Sequence, residues 1–178
     1  FAVLCRRFIA RNPSRSRVLN RLSEKFPDFL ARTLPKGHRN GLAVDVARIE
    51  RAMEDVFDAP KLEPMTAAQF AAIGADQWES VRLNVNPALR LLKLRYPANE
   101  YIQATRTGRK PRIPRPRPTF VIVFRRGFQV FRRDQEPEQF KLLVALAAGR
   151  VLAAAVRASI GRRSRSADRI AARLGGWF

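Results

Sequence analysis

The stretch that decides the fold is TFVIVFRRGFQVFRR, residues 119–133. Two apolar runs flank Arg125-Arg126-Gly127, and this pattern predicts a β-hairpin with its turn at the glycine. The first run is apolar at every position from Phe120 to Phe124, so both of its faces carry hydrophobic side chains. A strand of this kind is typical of a sheet that is covered on both sides. The hairpin is therefore predicted to lie inside a packed sheet.

An RNA-recognition motif is one alternative for the same residues. Arg126-Gly127-Phe128 fits its signature strand, but Gln129 stands where that motif has a small residue and Val130 where it has an aromatic one. Base stacking requires aromatic side chains that alternate onto one open face. We therefore set the RNA-recognition motif aside.

A helix–turn–helix is a second alternative, because residues 137–160 predict two helices around a turn at Gly149. A recognition helix carries side chains that read base edges, such as Arg, Asn, Gln or Ser. The second helix offers Arg157 and Ser159 and is otherwise small and apolar. It is typical of a helix packed in a core.

Apolar periodicity elsewhere predicts mostly helices. The predicted helices are 2–11, 18–34 with a break near Pro27, 42–57, 66–73, 98–105, 136–148, 151–160 and a last short one after residue 161. Alternation predicts two more strands, 81–86 and 89–95, around an Asn-Pro corner. Together with the hairpin they would form a four-stranded antiparallel sheet.

These elements predict an α+β fold, in which a helical N-terminal part precedes a small antiparallel sheet packed with helices. We divide the chain into a helical N-terminal domain, 1–59, and an α+β domain, 60–178, that contains the hairpin. The sequence starts and stops in the middle of apolar patterns. We therefore expect the N-terminal domain to be truncated.

The chain is strongly basic, with a net charge of +20 over 178 residues. Over half of this excess lies in two short stretches, 105–118 and 149–178, the first of which is proline-rich and predicts an exposed, extended loop. Such stretches can bind phosphates without sequence specificity, or can simply be solvated. The candidate polyanion-binding residues are Arg109, Lys110, Arg112, Arg115, Arg117, Arg162, Arg163 and Arg165.

Catalytic signatures are weak. His38 lies in a predicted glycine-rich loop, and Cys5, the only cysteine, lies on an apolar helical face. Five acidic residues crowd the helix at 42–57 and the residue after it, but the interleaved Arg48 and Arg51 favour an ion-paired surface over a metal or acid–base site. We expect no enzymatic activity, no metal and no cofactor. One cysteine and no apolar run long enough to span a bilayer predict a cytoplasmic protein without membrane contact.

Several stretches taken together resemble the HvfC/BufC family, which carries the label "putative DNA-binding domain". They are listed in chain order: FAVLCRRFIARNPSRSRVLNRLSEKFPDFLA, LAVDVARIERAMEDVFDAP, DQWESVRLNVNPALRLLKLRYP, FRRGFQVFRRDQEPEQFKLLVALAAG and the ending at Trp177. The resemblance covers nearly the whole chain. The chain departs from the family at Arg51, Glu54 and Asp58, where Trp and His are frequent, and at Asn86, where His is frequent.

The resemblance implies a function. Members of the family are similar to the methanobactin-biosynthesis subunit MbnC and pair with a TIM-barrel multinuclear iron oxygenase. The pair modifies cysteines of a ribosomally made, copper-binding precursor peptide, and the iron belongs to the enzyme. The HvfC-like subunit is implied to recognise the leader peptide, which adds a strand to the sheet. The alternative is a DNA-binding or regulatory protein that uses its basic surface.

Strand addition needs a free sheet edge, since main-chain bonds supply affinity and alternate pockets supply specificity. The sequence leaves two edges open, the second hairpin strand and the strand at 89–95. Arg125, Arg126, Arg132 and Arg133 would attract an acidic leader. The candidate peptide-binding residues are Phe128, Gln129, Val130, Phe131, Arg132, Arg133, Leu89, Leu91 and Lys93.

Overall fold

The computed structural model describes residues 2–14, 16–17, 19–63, 65–77 and 79–159. The helix predicted after residue 161, and with it Arg162, Arg163 and Arg165, lies outside the described residues. None of the helices within the described ranges is long and apolar enough to cross a membrane.

The described elements confirm the α+β fold, with helices first and a small antiparallel sheet after them. The helices are α1 (Ala2–Arg11), α2 (Phe26–Thr33), α3 (His38–Phe57), α4 (Ala67–Ala71), α5 (Ala98–Arg106), α6 (Pro137–Ala147) and α7 (Leu152–Ser159). Short 3-10 helices occupy Leu19–Ser23 and Ala75–Gln77. The strands are β1 (Leu89–Leu94), β2 (Thr119–Arg126) and β3 (Gln129–Gln135).

The sheet has the order β1-β2-β3, and both strand pairs are antiparallel. The predicted hairpin is confirmed, since β2 and β3 are joined by the two-residue turn Gly127-Phe128. Gly127 has a φ of +57°, a left-handed conformation that glycine adopts without steric cost. Because β2 is central, β1 and β3 are the two edge strands.

The prediction of a fourth strand at 81–86 is wrong. This segment forms an isolated bridge between Arg82 and Val151 rather than a strand of the sheet. Its alternating side chains Val81, Leu83 and Val85 pack instead against a cluster built from α6 and α7. The alternation correctly indicated which side chains are packed against the protein, but they pack against two helices and not within a sheet.

The central strand is covered on both faces, as its sequence predicted. Val121 and Val123 are fully buried and pack with Ile49 and Val56 of α3. On the opposite face the ring of Phe120 lies 4.9 Å from that of Phe140 in α6. Helix α3 belongs to the predicted N-terminal domain, 1–59, and β2 to the predicted domain 60–178. The two elements nevertheless share this core.

Helix α3 starts at His38, whereas the sequence predicted a loop as far as Gly41. The misleading residue is Gly41 itself, which lies inside the helix against the ring of Tyr96. A Cβ at this position would lie 2.5 Å from Tyr96 Cε2. The glycine is therefore required by close packing rather than by a turn.

Buried Asp45 fixes α3 to the end of β1. Its Oδ2 accepts hydrogen bonds from the backbone amides of Arg95 at 2.8 Å and Tyr96 at 2.9 Å. Its Oδ1 accepts from Arg48 Nη1 at 3.2 Å. Although the carboxylate is buried, three donors replace the water that it loses on folding.

Candidate functional site

The β3 edge presents backbone groups that point away from the sheet. In a two-residue hairpin Arg126 and Gln129 form the closing hydrogen-bonded pair, so alternate residues of β3 bond to β2. Val130, Arg132 and Asp134 consequently direct their amides and carbonyls outward. Within the described part of the chain, no hydrogen bond reaches the outward groups of Val130 or Arg132. These groups are available to a further strand.

The side chains of β3 are largely exposed. Phe128 at the turn is 92% exposed, and Phe131 is 37% exposed. The Phe131 ring stacks on that of Phe124, with the centroids 5.5 Å apart. The guanidinium groups of Arg126 and Arg133 lie 5.7 and 5.8 Å from the same Phe124 centroid. This face of the hairpin combines aromatic surface with positive charge.

The β1 edge is the other candidate. The Arg125 amide of β2 donates to the Ala88 carbonyl at 3.1 Å, so alternate residues from Ala88 onward bond to β2. The residues between them, Leu89, Leu91 and Lys93, direct their backbone groups outward. Apart from exposed Lys93, the side chains of β1 are half-buried or buried. The predicted peptide-binding residues therefore form two groups, on opposite edges of the sheet and separated by β2.

The ends of β1 are tied to α3. At one end Arg90 Nε lies 3.6 Å from Asp55 Oδ2, and Arg90 Nη1 donates to the Leu89 carbonyl at 3.0 Å. At the other end Asp45 accepts from the Arg95 amide. β3 has fewer contacts of this kind: Asn99 Nδ2 of α5 donates to Asp134 Oδ2 at 2.7 Å. Within the strand, Gln135 Nε2 donates to the Asp134 carbonyl at 3.1 Å.

An apolar pocket of about 810 Å³ opens beside the start of β3. It lies between the N-terminal helices, α3 and Val130 of β3. Its apolar lining includes Cys5, Phe8, Ile9, Met53, Phe57 and Val130. Ile9 and Phe57 are 50% and 55% exposed, so the pocket is accessible from solvent. Sequence patterns had indicated helix faces here but not that three helices and a strand would leave a gap.

The polar rim of this pocket is already satisfied. Asp58 accepts from Asn20 Nδ2, and Glu54 Oε2 accepts from Ser23 Oγ at 2.6 Å. Arg51 donates to Ser23 Oγ at 3.0 Å and pairs with both Glu54 and Asp55. The predicted ion pairing on the surface of α3 is confirmed by the contacts of Arg51 with Glu54 and Asp55, whereas the Arg48–Asp45 pair has a buried carboxylate.

Four polar residues that the sequence analysis singled out have local partners. Arg51, Glu54 and Asp58 belong to the rim network just described. Asn86 accepts from the Ala88 amide at 2.8 Å and donates to the Leu62 carbonyl at 3.4 Å. These polar side chains hold the local structure around them.

Arg132 differs from the other arginines of the hairpin. Its side chain is half-buried on the face of β3 that turns toward α3, and it has no ion pair in the described part of the molecule. Its Nη1 is buried without a hydrogen-bond partner there. Burial lowers the pKa of Arg132, and the positive charge of Arg106 acts in the same direction, against Asp134 and Glu50. No sequence signal distinguishes this arginine from its neighbours.

The basic loop is largely exposed and irregular, as predicted for 106–118, except that its first residue, Arg106, still belongs to α5. Arg117 is tied down, since its Nη2 lies 2.6 Å from Glu100 Oε1 and its amide donates to the Arg95 carbonyl at 2.9 Å. Arg109 Nε donates to Thr107 Oγ1 at 3.2 Å. The remaining candidate cations of this loop have no ion pair with described residues; they are Lys110, Arg112 and Arg115.

Groups with catalytic potential are dispersed. His38 lies at the start of α3 with its ring edge-on to Tyr96, and Cys5 is a half-buried free thiol in the pocket wall. The described residues contain no group of three or more His, Cys, Asp or Glu side chains placed to hold a metal ion.

Comparison with known proteins identifies no protein-family model and no curated protein that matches this chain.

Proposed function

We propose that this protein is a non-catalytic peptide-recognition subunit that binds an extended peptide as an additional strand on β3. The observation that carries the proposal is the exposed outer edge of β3 beside the apolar pocket. We further propose, on the resemblance to the HvfC/BufC family, that its partner is a TIM-barrel multinuclear iron oxygenase. The peptide is then the copper-binding precursor whose cysteines that enzyme modifies.

The β3 edge supports this role physically. Main-chain hydrogen bonds to Val130 and Arg132 would hold any extended peptide without regard to its sequence. Alternate side chains of the peptide would lie toward the pocket on one face and toward Phe131 on the other. An edge strand of this kind provides affinity through its backbone and specificity through its surroundings.

The charge of the hairpin favours an acidic peptide. Arg125 has a structural role, since its Nη1 and Nη2 donate to the carbonyls of Phe57 at 2.9 Å and Ala59 at 2.7 Å. Arg126, Arg132 and Arg133 make no such bonds within the described residues. These three cations would accelerate the encounter with a negatively charged leader segment.

The test is co-expression with a TIM-barrel iron oxygenase of the proposed class and with the precursor peptide of that enzyme. The complex is purified through a tag on the enzyme and washed at roughly 0.5 M salt. At this concentration the range of electrostatic attraction falls to a few ångströms, so complexes held by charge alone are removed. We expect a stoichiometric complex that retains the peptide. Absence of the complex after the wash would contradict the proposed partnership.

A second candidate function is binding to a nucleic-acid backbone. The observation that favours it is the exposed loop carrying Lys110, Arg112 and Arg115 without ion pairs to described residues. Such binding releases counterions and therefore weakens steeply with salt. Retention of DNA of any sequence at about 0.05 M salt, lost by roughly 0.3 M, together with no enzyme complex, would favour this function.

A further inference from the structure

The face of β3 that turns toward α3 carries Val130, Arg132 and Asp134 at alternate positions. Their register partners on β2 are Arg125 for the first, buried Val123 for the second and buried Val121 for the third. A strand added to β3 would place alternate side chains on this same face, about 5 Å from these residues. The polarity and charge at each of these three positions therefore determine which side chains of an added strand are favourable opposite them.

The first position is apolar. Val130 lines the pocket together with Met53 and Phe57 of α3 and Phe8 and Ile9 of α1. The acidic side chains at the rim, Glu54 and Asp58, are bonded to Ser23 and Asn20, whereas the lining around Val130 is apolar. A side chain opposite Val130 would enter an apolar space large enough for leucine or phenylalanine.

The second position favours a negative charge. Arg132 is half-buried, has no ion pair with described residues and has a buried Nη1 without a hydrogen-bond partner there. Arg51 makes an instructive contrast, because two carboxylates on its own helix neutralise it. Asp134 and Glu50 act on the charge of Arg132 from a distance, but neither forms an ion pair with it. A half-buried guanidinium whose Nη1 has no bonded partner among the described residues is a site at which an incoming carboxylate forms a charge-assisted bond.

The third position disfavours a second acid. Asp134 Oδ2 is held by Asn99 Nδ2 at 2.7 Å, so a carboxylate is fixed at this point of the edge. A like charge placed opposite it would be repelled. A negative charge on the added strand is therefore favourable opposite Arg132 and unfavourable opposite Asp134.

We propose that β3 selects peptides in which an apolar residue and an acidic residue are two positions apart, the first opposite Val130 and the second opposite Arg132. This inference rests on the proposed strand addition and specifies its substrate class. The spacing holds for parallel and antiparallel addition, because same-face neighbours are two residues apart in either direction. The residue between them lies on the other face, beside Phe131.

The experiment uses two fluorescein-labelled peptides of identical composition and charge. One contains Leu-Thr-Glu and the other Thr-Leu-Glu, each within a nine-residue threonine and serine host. Only the first places leucine and glutamate on one face. Fluorescence anisotropy on the full chain at about 0.15 M salt should give at least about tenfold tighter binding for the first peptide, the expected effect of one charge-assisted bond.

Arg132→Gln and Arg133→Gln form a matched pair of variants. They remove the same charge from adjacent residues whose side chains lie on opposite faces of β3. With the first variant, Leu-Thr-Glu and Leu-Thr-Gln should bind equally well. With the second, the preference for glutamate should persist. If Arg132 had a structural role alone, its variant would weaken both peptides by the same factor, and this would overturn the proposal.

Backbone N-methylation separates this inference from the strand addition on which it rests. One peptide carries methyl groups on the leucine and glutamate nitrogens, and another carries them on the threonines that alternate with these. Strand addition requires that one methylated peptide lose binding and the other keep it. If this difference is found but the Leu-Thr-Glu and Thr-Leu-Glu peptides bind with equal affinity, strand addition stands and the selectivity is overturned. Insensitivity to both methylations, or no binding at about 1 mM, would overturn strand addition and the selectivity with it.

Discussion

The two outer strands of the sheet have similar backbones and different surroundings. Each presents outward amides and carbonyls, and each has one outward carbonyl bound by an adjacent side chain, Leu89 by Arg90 and Asp134 by Gln135. β1 is nevertheless anchored to α3 at both ends, and its last residue, Leu94, is 2% exposed. β3 has mostly exposed side chains and an apolar pocket beside its start.

This difference teaches that hydrogen-bonding capacity alone does not identify a binding edge. Natural proteins protect edge strands by covering or charging them. Here buried Asp45 fixes the end of β1. The charge of half-buried Arg132 would keep most strands away from β3, but this arginine has no described ion pair and an acidic side chain on an added strand would neutralise it. β1 therefore serves stability and β3 is the better candidate for recognition.

The largest expected effect is on stability at the end of β1. Asp45→Ala removes the acceptor of two backbone amides and leaves the amide of buried Tyr96 unsatisfied. We expect the free energy of unfolding to fall by about 3 kcal/mol. Urea unfolding, followed by circular dichroism, measures it.

The matched control is Asp134→Ala on β3, which removes an exposed carboxylate bound to Asn99. Its cost should be about 0.5 kcal/mol or less. Equal costs for the two aspartates would contradict the claim that β1, and not β3, is fixed by the fold.

The next effect concerns peptide binding. The amides of Val130 and Leu91 both point away from β2, so proline at either position removes an edge donor without breaking a bond within the sheet. We expect Val130→Pro to weaken binding of the Leu-Thr-Glu peptide at least about thirtyfold, since it removes a ladder bond and blocks the approach of the peptide. Leu91→Pro should change it less than about threefold.

Thermal unfolding of both proline variants shows whether they remain folded at the temperature of the binding measurement. If Leu91→Pro abolished binding in a folded protein and Val130→Pro did not, the recognition edge would be β1.

The smallest effect is expected for the contact that ties the basic loop beside the end of β1. Glu100→Gln removes the ion pair with Arg117, and both side chains are about 60% exposed. Exposed pairs contribute little, so the unfolding free energy should change by about 0.5 kcal/mol or less. Peptide affinity should not change. A larger loss in urea unfolding would mean that this loop is part of the structural support of β1.

Much of the fold could be predicted because local pattern and tertiary structure agree. The glycine turn and the doubly apolar strand led to the hairpin, and apolar spacing led to most of the helices. The start of α3 and the segment 81–86 were mispredicted for a tertiary reason in each case. Gly41 is small because Tyr96 lies against it, and Val81, Leu83 and Val85 alternate against helices rather than in a ladder.

The candidate site was only partly predictable. Strand alternation places Val130 and Arg132 on one face, and the two strands that the sequence left open are the two edge strands of the sheet. Which of them receives a peptide stays a prediction. The pocket could not be predicted, because it is the gap left where α1, α2, α3, the 3-10 helix at Leu19–Ser23 and β3 meet. The role of Asp45 depends on contacts with residues 50 and 51 positions away. Such distant pairings leave no pattern in a single sequence.

Hydrogen exchange is the most direct test of the claim that β3, and not β1, receives the peptide. Exchange is measured by NMR on the full chain with and without the Leu-Thr-Glu peptide. Strand addition predicts slower exchange at the outward amides of Val130 and Arg132 when the peptide is bound, with Leu91 and Lys93 unchanged. Protection of Leu91 and Lys93, or binding without protection at either edge, would contradict the account.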